Sequence, residues 1–299
     1  MVVSLAELRD LFHDVARVRQ DDGPDSVVAI QYPPDFVEAM DLFRAMLKAD
    51  EMSERALMLT EYVIELNSAN YTAWQYRRRV IEALDKDWRD ELALCDAIGG
   101  ASPKNYQLWN HRREVIQKLG DASGELEVTA VALEDDAKNY HVWGHRQWCI
   151  ATFGLWDDEI AFAEKLLVAD PYNNSAWNQR WFVVTRNNTV AWTEDVARRE
   201  VAFAQRHLSE IADNESPWNY VLGILDATKY ALPKVVDEAV TFAEGLPSCR
   251  FAAGLLFDVY EVLGRLPEAT EVAGRLETSL DVIRSRYWAW RRDQLKPEQ

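Results

Sequence analysis

The chain has 299 residues, of which 50 are acidic and 33 are basic, and its formal net charge at pH 7 is −17. This excess of negative charge gives no long-range attraction to nucleic acid or to an anionic membrane surface, so an anionic ligand would need a local basic cluster. No run of 18 apolar residues occurs, so we expect no transmembrane helix, and the charged N-terminal residues argue against a signal peptide. The three separated cysteines, Cys95, Cys149 and Cys249, predict reduced, mostly buried thiols in a cytoplasmic protein.

The N-terminal region is predicted to precede a repeat array. Residues 1–30 contain one helical pattern, Leu5 to Val18, and then a loop. A second amphipathic pattern runs from Asp35 to Leu47. We therefore divide the chain into an N-terminal helix and loop, residues 1–30, and a single α-helical repeat domain, residues 31–299, whose repeats are clearest over about 53–230.

A motif of the form Asn-Tyr-x-x-Trp-x-x-Arg recurs from residue 70 onward. It occupies residues 70–77, 105–112, 139–146 and 173–180, and only the fourth copy lacks the Tyr. Consecutive Trp residues are 35, 34 and 34 positions apart. A period of this length is typical of stacked helix pairs.

Each repeat is predicted to contain two helices, with the motif Asn as the N-cap of the second. The predicted pairs are 53–66 with a helix from 71, 91–98 with 106–119, 126–133 with 140–153, 158–169 with 175–185, 193–211 with 216–230, and 235–243 with 251–263. Beyond residue 190 the motif decays, since Val221 replaces its Arg. Near the end it offers two registers, Tyr287 with Trp290 or Trp288 with Arg291.

The Trp and Arg of the motif are interpreted mainly as packing residues. The Trp inserts apolar surface between neighbouring pairs, and the Arg can rest its stem on that ring and direct its head to a carbonyl or carboxylate of the next repeat. His141 and His145 have metal-ligand spacing, but no third ligand is evident nearby. We interpret His145 as a packing residue, like His111, and predict no metal site in this chain.

The repeat resembles that of the α subunit of the protein prenyltransferases. Asp41-Leu42-Phe43-Arg44-Ala45, Ser53-Glu54-Arg55-Ala56 and the first three motif copies carry this resemblance, which covers roughly residues 33–230. The Trp-x-x-Leu-Gly-x-x-Tyr signature of tetratricopeptide repeats is absent. The resemblance implies an all-α fold, a right-handed superhelical solenoid, or crescent, of stacked antiparallel helix pairs.

Two branches of this family are relevant. The segment Lys104-Asn105-Tyr106-Gln107 resembles the α subunit shared by farnesyltransferase and geranylgeranyltransferase type I, which modify C-terminal Cys-a-a-X (CaaX) motifs. The Rab geranylgeranyltransferase α subunit remains an alternative, although no inserted domain fits here. A non-catalytic helical-repeat scaffold is a further alternative from another functional class.

The same resemblance implies roles for individual residues. Lys104, at a helix N-terminus, is expected to stabilise the diphosphate leaving group, with His141 as a second diphosphate partner. Gln107 is expected to bind the substrate C-terminal carboxylate, and Lys138 is a weaker candidate in the slot equivalent to that of Lys104. The remaining residues expected to line this region are Tyr71, Tyr106, Asn139 and Tyr140.

The resemblance also implies what this chain requires from outside. A β subunit is expected as its heterodimer partner, with an isoprenoid diphosphate and a CaaX peptide or protein as substrates. The chain itself is expected to bind no cofactor. Zinc, with magnesium as a further candidate ion, is expected in the enzyme through the β subunit, and this chain alone is expected to be inactive.

Overall fold

The computed structural model describes residues 4–25, 27–28, 30–187 and 192–295. Within these ranges all regular secondary structure is helical, and the chain forms two compact units, Met1–Phe153 and Gly154–Gln299. The predicted all-α class of paired helices is therefore confirmed. The prediction of one repeat domain over residues 31–299 stays a prediction.

The first unit contains eight described helices. They are α1 (Leu5–Leu11), α2 (Pro34–Ala49), α3 (Glu54–Leu66), α4 (Tyr71–Ala83), α5 (Arg89–Ala101), α6 (Tyr106–Leu119), α7 (Glu125–Asp135) and α8 (Tyr140–Phe153). Short loops join α3 to α4, α5 to α6 and α7 to α8 into antiparallel pairs, and α6 packs on both α4 and α8. Its core includes Phe43, Leu59, Trp74, Tyr76 and Leu108.

The second unit continues the alternation. Its helices are α9 (Glu159–Ala169), α10 (Asn174–Arg186), α11 (Glu194–Glu210), α12 (Glu215–Ala227), α13 (Pro233–Glu244), α14 (Arg250–Val262), α15 (Leu266–Arg275) and α16 (Ser285–Gln294). A π-helical turn, Leu276–Leu280, and a 3-10 turn, Val282–Arg284, separate the last two helices. Buried Trp177, Trp218, Phe257 and Trp288 contribute to its core.

The N-terminal helix is shorter than predicted. It ends at Leu11 rather than at Val18, because the following segment leaves the helix and bonds to α2 instead. The backbone N–H of Val18 donates to the Asp41 carbonyl at 3.2 Å, and Arg44 Nε donates to the Val18 carbonyl at 2.9 Å. These tertiary hydrogen bonds replace the helical ones that the apolar pattern predicted.

The motif Asn has two structural functions. The side-chain oxygen of Asn105 accepts hydrogen bonds from the N–H groups at the start of α6, so it is an N-cap as predicted. Its Nδ2 donates to the Ser68 carbonyl at 2.7 Å, and the same carbonyl accepts from Trp74 Nε1 at 2.8 Å. The pattern repeats when Asn139 and Trp109 share the Pro103 carbonyl, and when Asn214 and Trp177 share the Pro171 carbonyl. One carbonyl thus joins two successive pairs.

The last repeats keep this geometry with different groups. Cys249 stands in the place of the Asn, and its Sγ donates to the Ala212 carbonyl, which also accepts from Trp218 Nε1. At the C-terminal end Trp288 is buried and Trp290 is 55% exposed. The structure therefore selects the register of Trp288 with Arg291 from the two that the sequence offered.

Candidate functional site

The N-terminal ends of α4, α6 and α8 lie side by side in the first unit. The hydrogen bonds from Asn105 to the Ser68 carbonyl and from Asn139 to the Pro103 carbonyl hold the turn before each helix against the start of the next second helix. Each helix N-terminus carries a partial positive charge from its aligned peptide dipoles, although the cap Asn already accepts from one or two of its N–H groups. Their grouping makes this edge favourable for an anion, despite the negative charge of the whole chain.

Lys104 is at this edge, immediately before the N-cap of α6. Its side chain is 76% exposed, and its Nζ lies 3.1 Å from Asp136 Oδ2. The hydrogen bond from Lys104 lowers the pKa of the Asp136 carboxyl. Asp136 also accepts from the backbone N–H of Lys138 at 3.1 Å, so this carboxylate both closes a turn and holds the lysine near the helix ends.

Sequence reasoning missed Asp136, although a signal for it was present. Asp170 occupies the equivalent position one repeat later, and it accepts from the backbone N–H of Tyr172 at 2.9 Å. Asn67 makes the same turn two repeats before Asp136, because its Oδ1 accepts from Ala69 N–H at 3.1 Å. A polar residue seven positions before the motif Trp therefore marks the turn.

The aromatic residues predicted for the site surround this position. Tyr106 and Tyr140 are the first residues of α6 and α8, and they are 57% and 82% exposed. The His141 ring centroid lies 6.4 Å from that of Tyr106 and 5.6 Å from that of Tyr140. Gln107 follows Tyr106 and is partly buried. The structure thus brings these four residues to the same edge as Lys104.

The two other predicted residues differ in their placement. Tyr71 is the first residue of α4, one second helix away, and is 68% exposed. Asn139 is 2% exposed, and its Oδ1 accepts from His141 N–H at 3.0 Å while its Nδ2 donates to the Pro103 carbonyl. Its polar atoms are therefore already engaged within the protein, and its observed contacts position the start of α8.

A buried ionic network lies beneath this edge. The guanidinium of Arg77 donates to both oxygens of Glu91 at 2.8 and 2.7 Å, and His111 Nε2 lies 2.9 Å from the same carboxylate. Burial raises the pKa of Glu91, but the hydrogen bonds from His111 and Arg77 outweigh it and lower the pKa to about 2. The predicted Arg–carboxylate contact between repeats is confirmed, although the Trp74 ring rests on the His111 ring, 4.6 Å away, where we expected an arginine.

The protonation state of His111 follows from its surroundings. Burial lowers its pKa below the ordinary 6.5, and the hydrogen bond to Glu91 opposes this only in part. The neutral ring fits both contacts, since Nε2–H donates to Glu91 and Nδ1 accepts from Arg78 at 3.4 Å. His111 is thus a structural residue linking two repeats.

One group of buried side chains has the composition of a metal site. Single ligand atoms of Glu125, His145 and Cys149 lie within 4.8 Å of one another. However, Arg112 donates to both Glu125 oxygens at 2.8 and 2.7 Å, so a guanidinium already neutralises the carboxylate. Burial also raises the pKa of the Cys149 thiol to about 12, which disfavours the thiolate that a metal needs. The arrangement repeats the Arg77–Glu91–His111 network and does not fit a cation.

Among the residues that the structure describes, no helix combines the length and the apolar character that crossing a bilayer requires.

Comparison with known proteins adds independent evidence. The family model described as "Protein prenyltransferase alpha subunit repeat" matches residues 53–84, 88–119, 122–153 and 156–187. Three relatives carry the name "Protein farnesyltransferase/geranylgeranyltransferase type-1 subunit alpha". The Solanum lycopersicum protein is 42% identical over 95% of this chain and 89% of its own. The Dictyostelium discoideum and Pisum sativum proteins are 36% and 37% identical, each over 96% of this chain and 94% of theirs.

A solved structure agrees with these relatives. "Candida albicans protein geranylgeranyltransferase-I complexed with GGPP" matches with a TM-score of 0.85 and 30% identity, over 95% of this chain and 98% of that chain. Four matched repeats, high coverage and a shared fold lead to one conclusion. The chain belongs to the protein prenyltransferase α-subunit family.

Proposed function

We propose that this chain is the α subunit of a heterodimeric protein farnesyltransferase, shared with geranylgeranyltransferase type I. The enzyme transfers an isoprenoid from its diphosphate to the Cys of a C-terminal CaaX motif. The observation that carries the site assignment is the position of Lys104 among three grouped helix N-termini. The names of the relatives favour this branch over the Rab-type subunit, and family membership argues against a scaffold.

In this reaction the carbon–oxygen bond of the isoprenoid diphosphate breaks as the sulfur attacks. Negative charge grows on the departing diphosphate, and a cation placed where that charge develops lowers the barrier. Lys104 supplies the cation, and the ends of α6 and α8 add favourable dipoles. His141, beside Tyr106 and Tyr140, supplies a further hydrogen-bond partner.

Recognition of the second substrate, the CaaX peptide, is assigned to Gln107. Its side-chain amide can donate to the C-terminal carboxylate of the CaaX peptide without adding a charge. Tyr71 and Tyr106 provide exposed aromatic surface on neighbouring helix starts. In this proposal the diphosphate is bound by Lys104 and His141 and the peptide carboxylate by Gln107, at the same edge of the first unit.

The β subunit completes the enzyme in this proposal. It supplies zinc, which activates the substrate thiol, and magnesium is a further candidate ion. In this proposal neither ion is bound by this chain, because the Glu125–His145–Cys149 group found among the described residues fits a cation poorly. We place the heterodimer in the cytoplasm, where its thiol-bearing substrates stay reduced.

The test is reconstitution with a candidate β subunit and single-turnover transfer to a CaaX peptide. Lys104→Ala should slow bond breaking by about 10- to 100-fold, because a charge-assisted contact contributes about 1.5–3 kcal/mol. Peptide affinity should stay nearly unchanged. Lys86→Ala is the matched control. Lys86 is also an ion-paired surface lysine, but it lies after the C-terminal end of α4, whereas the candidate site lies at the N-terminal ends of the helices.

The outcomes separate the alternatives. Transfer by the wild-type heterodimer with an unchanged Lys104→Ala rate would remove Lys104 from the mechanism. No transfer to a short peptide, but transfer to an escorted Rab protein, would indicate the Rab-type subunit. Failure to bind any β subunit or isoprenoid diphosphate would favour the scaffold.

A further inference from the structure

Among the five motif copies that contain Trp74, Trp109, Trp143, Trp177 and Trp218, one lacks a core side chain that the other four have. Ten positions before the motif Trp, four repeats place a buried aliphatic residue that is at most 1% exposed: Ile64, Leu133, Leu167 and Leu208. The remaining repeat has Gly99 at this position, followed by Gly100. A core position without a side chain leaves unfilled volume unless neighbours collapse into it.

The neighbours do not close this gap. A cleft of about 380 Å³ lies between α5, α6 and α7. Its walls are mainly apolar and include Cys95, Leu108, Trp109, Val128, Val131 and Ala132. Val131 is 54% exposed, so the apolar wall reaches the surface. The volume lies within the range of protein ligand pockets and is large enough for an aromatic side chain.

The charged part of the lining consists of four carboxylates, those of Asp96, Glu127, Asp135 and Asp136, and one cation, Arg112. Asp96 and Asp136 are paired with Arg112 and Lys104, respectively. Glu127 and Asp135 also line the cleft, and neither forms an ion pair within the described ranges. Two uncompensated carboxylates beside an apolar hole favour a cationic partner and disfavour an anionic one.

We propose that this cleft is a docking site for a protein segment that carries one large apolar side chain flanked by lysine or arginine. The apolar side chain fills the volume left by Gly99, and the basic neighbours face Glu127 and Asp135. An isoprenoid diphosphate or a fatty-acid anion does not match the acidic lining. The proposal stands apart from prenyl transfer, because no step of that reaction is assigned to the cleft.

The probe is a fluorescent peptide, acetyl-Lys-Lys-Phe-Lys-Lys-amide, titrated with the heterodimer at physiological salt. Replacing the central Phe by Ala should weaken binding at least 10-fold, because the anchor is lost. Replacing all four Lys by Glu should abolish binding. Equal affinity for the Phe and Ala peptides would overturn the proposal, since binding would then be non-specific charge attraction.

Variants of the chain locate the site. Gly99→Leu should reduce binding of the Phe peptide at least 10-fold by filling the cleft, whereas the matched control Gly274→Leu, on α15 and outside the cleft, should change it less than twofold. A Cβ at Gly99 meets Leu108 Cδ2 at 3.5 Å, an ordinary contact, and a Cβ at Gly274 meets nothing within 4 Å. Val131→Trp, which changes an exposed position, should block the cleft from outside without entering the core. Undiminished binding in both Gly99→Leu and Val131→Trp, or no binding to the wild type, would refute the assignment.

Discussion

At the residue scale, exposure separates the motif residues that hold the fold from those available to a ligand. In the copy at 105–112 the Trp and Arg are buried, the Asn is half-buried, and all three are hydrogen-bonded to the protein, whereas Tyr106 is 57% exposed. Tyr71 and Tyr140 recur at the same first helical position and are also exposed. A large aromatic residue that recurs without entering the core is suited to contacts outside the chain.

Gln107→Ala is expected to weaken binding of a CaaX peptide by about 10- to 100-fold, since one hydrogen bond to a charged group, worth about 1.5–3 kcal/mol, is lost. The same peptide with an amidated C-terminus should bind weakly to both the wild type and the variant. Calorimetry on the heterodimer with an unreactive isoprenoid diphosphate analogue measures this. Equal affinity of the wild type for the free-acid and amidated peptides would remove Gln107 from the site.

The sequence predicted which residues begin α6 and α8, but not all of their partners. Lys104 and Gln107 follow from the motif, because an N-cap fixes where a helix starts. The contact of Lys104 with Asp136 joins two repeats, so it depends on how the pairs stack rather than on local spacing. The functional roles of both predicted residues stay predictions.

At the scale of elements, a buried Arg–Glu–His network links three helices at a time. Arg112 on α6 pairs with Glu125 on α7, and His145 on α8 reaches the same carboxylate at 2.6 Å. In the second unit Arg180, Glu200 and Tyr220 repeat the arrangement. Such a network adds little to the free energy of unfolding while it is complete. Removal of one of its charges lowers the stability strongly, because the partner charge stays buried without compensation.

Glu125→Gln should therefore destabilise the first unit by about 2–3 kcal/mol, less than the loss for a fully unpaired buried charge, because Arg112 loses its buried counter-charge but keeps the exposed Asp96 at 2.6 Å. The control is Glu54→Gln, which breaks the exposed pair with Lys86 and should cost less than about 1 kcal/mol. Hydrogen exchange of the α6 and α8 amides in the heterodimer reports the difference. Similar small losses in both variants would contradict the proposed importance of the buried network.

The pKa shifts of His111 and Glu91 predict a pH dependence with a definite sign. The folded pKa of His111 is lowered, so its neutral form stabilises the fold above about pH 6.5, and this contribution is lost as the pH falls below that value. The ionised Glu91, whose folded pKa is about 2, also stabilises the fold, and this second contribution is lost as the pH falls from about 4.5 to 2. Protection of the α6 amides, corrected for intrinsic exchange, should therefore fall between pH 7 and 5.

His111→Gln is the control for this pH effect. Gln179 stands at the equivalent position and donates to Glu159 at 2.7 Å, so an amide can serve in the place of the imidazole. The variant should fold and should lose the dependence between pH 7 and 5. An unchanged profile would assign that dependence to another group.

At the scale of the whole molecule, the 34- to 35-residue period was sufficient to predict an all-α array of helix pairs. The period did not predict the structure at the ends of the chain. There α1 stops before the end of the apolar pattern that suggested it, because Val18 forms its hydrogen bonds with α2. The same limit applied at the C-terminus, since Trp288 and Trp290 fit the motif equally well until burial separated them. Periodicity describes the contacts between similar repeats, and the terminal helices have no similar neighbour on one side.

Expressed alone, the chain is expected to be soluble but prone to aggregation, and inactive. Exposed aromatic residues such as Tyr71, Tyr140 and Trp290 favour a large partner interface, which we expect to exceed about 2,000 Å² as in obligate complexes. Light scattering and transfer assays on the chain with and without its β subunit measure both properties. A stable monomer with transferase activity would contradict this prediction.

The carbonyl shared by the Trp of one repeat and the Asn of the next makes the contact between neighbouring repeats directional. Within each compact unit a repeat offers a carbonyl acceptor to its successor, as Ser68 does to Asn105 and Pro171 does to Asn214, so neighbouring repeats are joined head to tail. Cys249 keeps this contact, because its thiol donates to the Ala212 carbonyl, but it provides no side-chain cap for α14. Duplication or loss of a whole repeat would preserve this pattern of shared carbonyls, whereas insertion or loss of part of a repeat would break one of these hydrogen-bonded contacts. Such chains are therefore expected to vary in length during evolution by integral numbers of repeats.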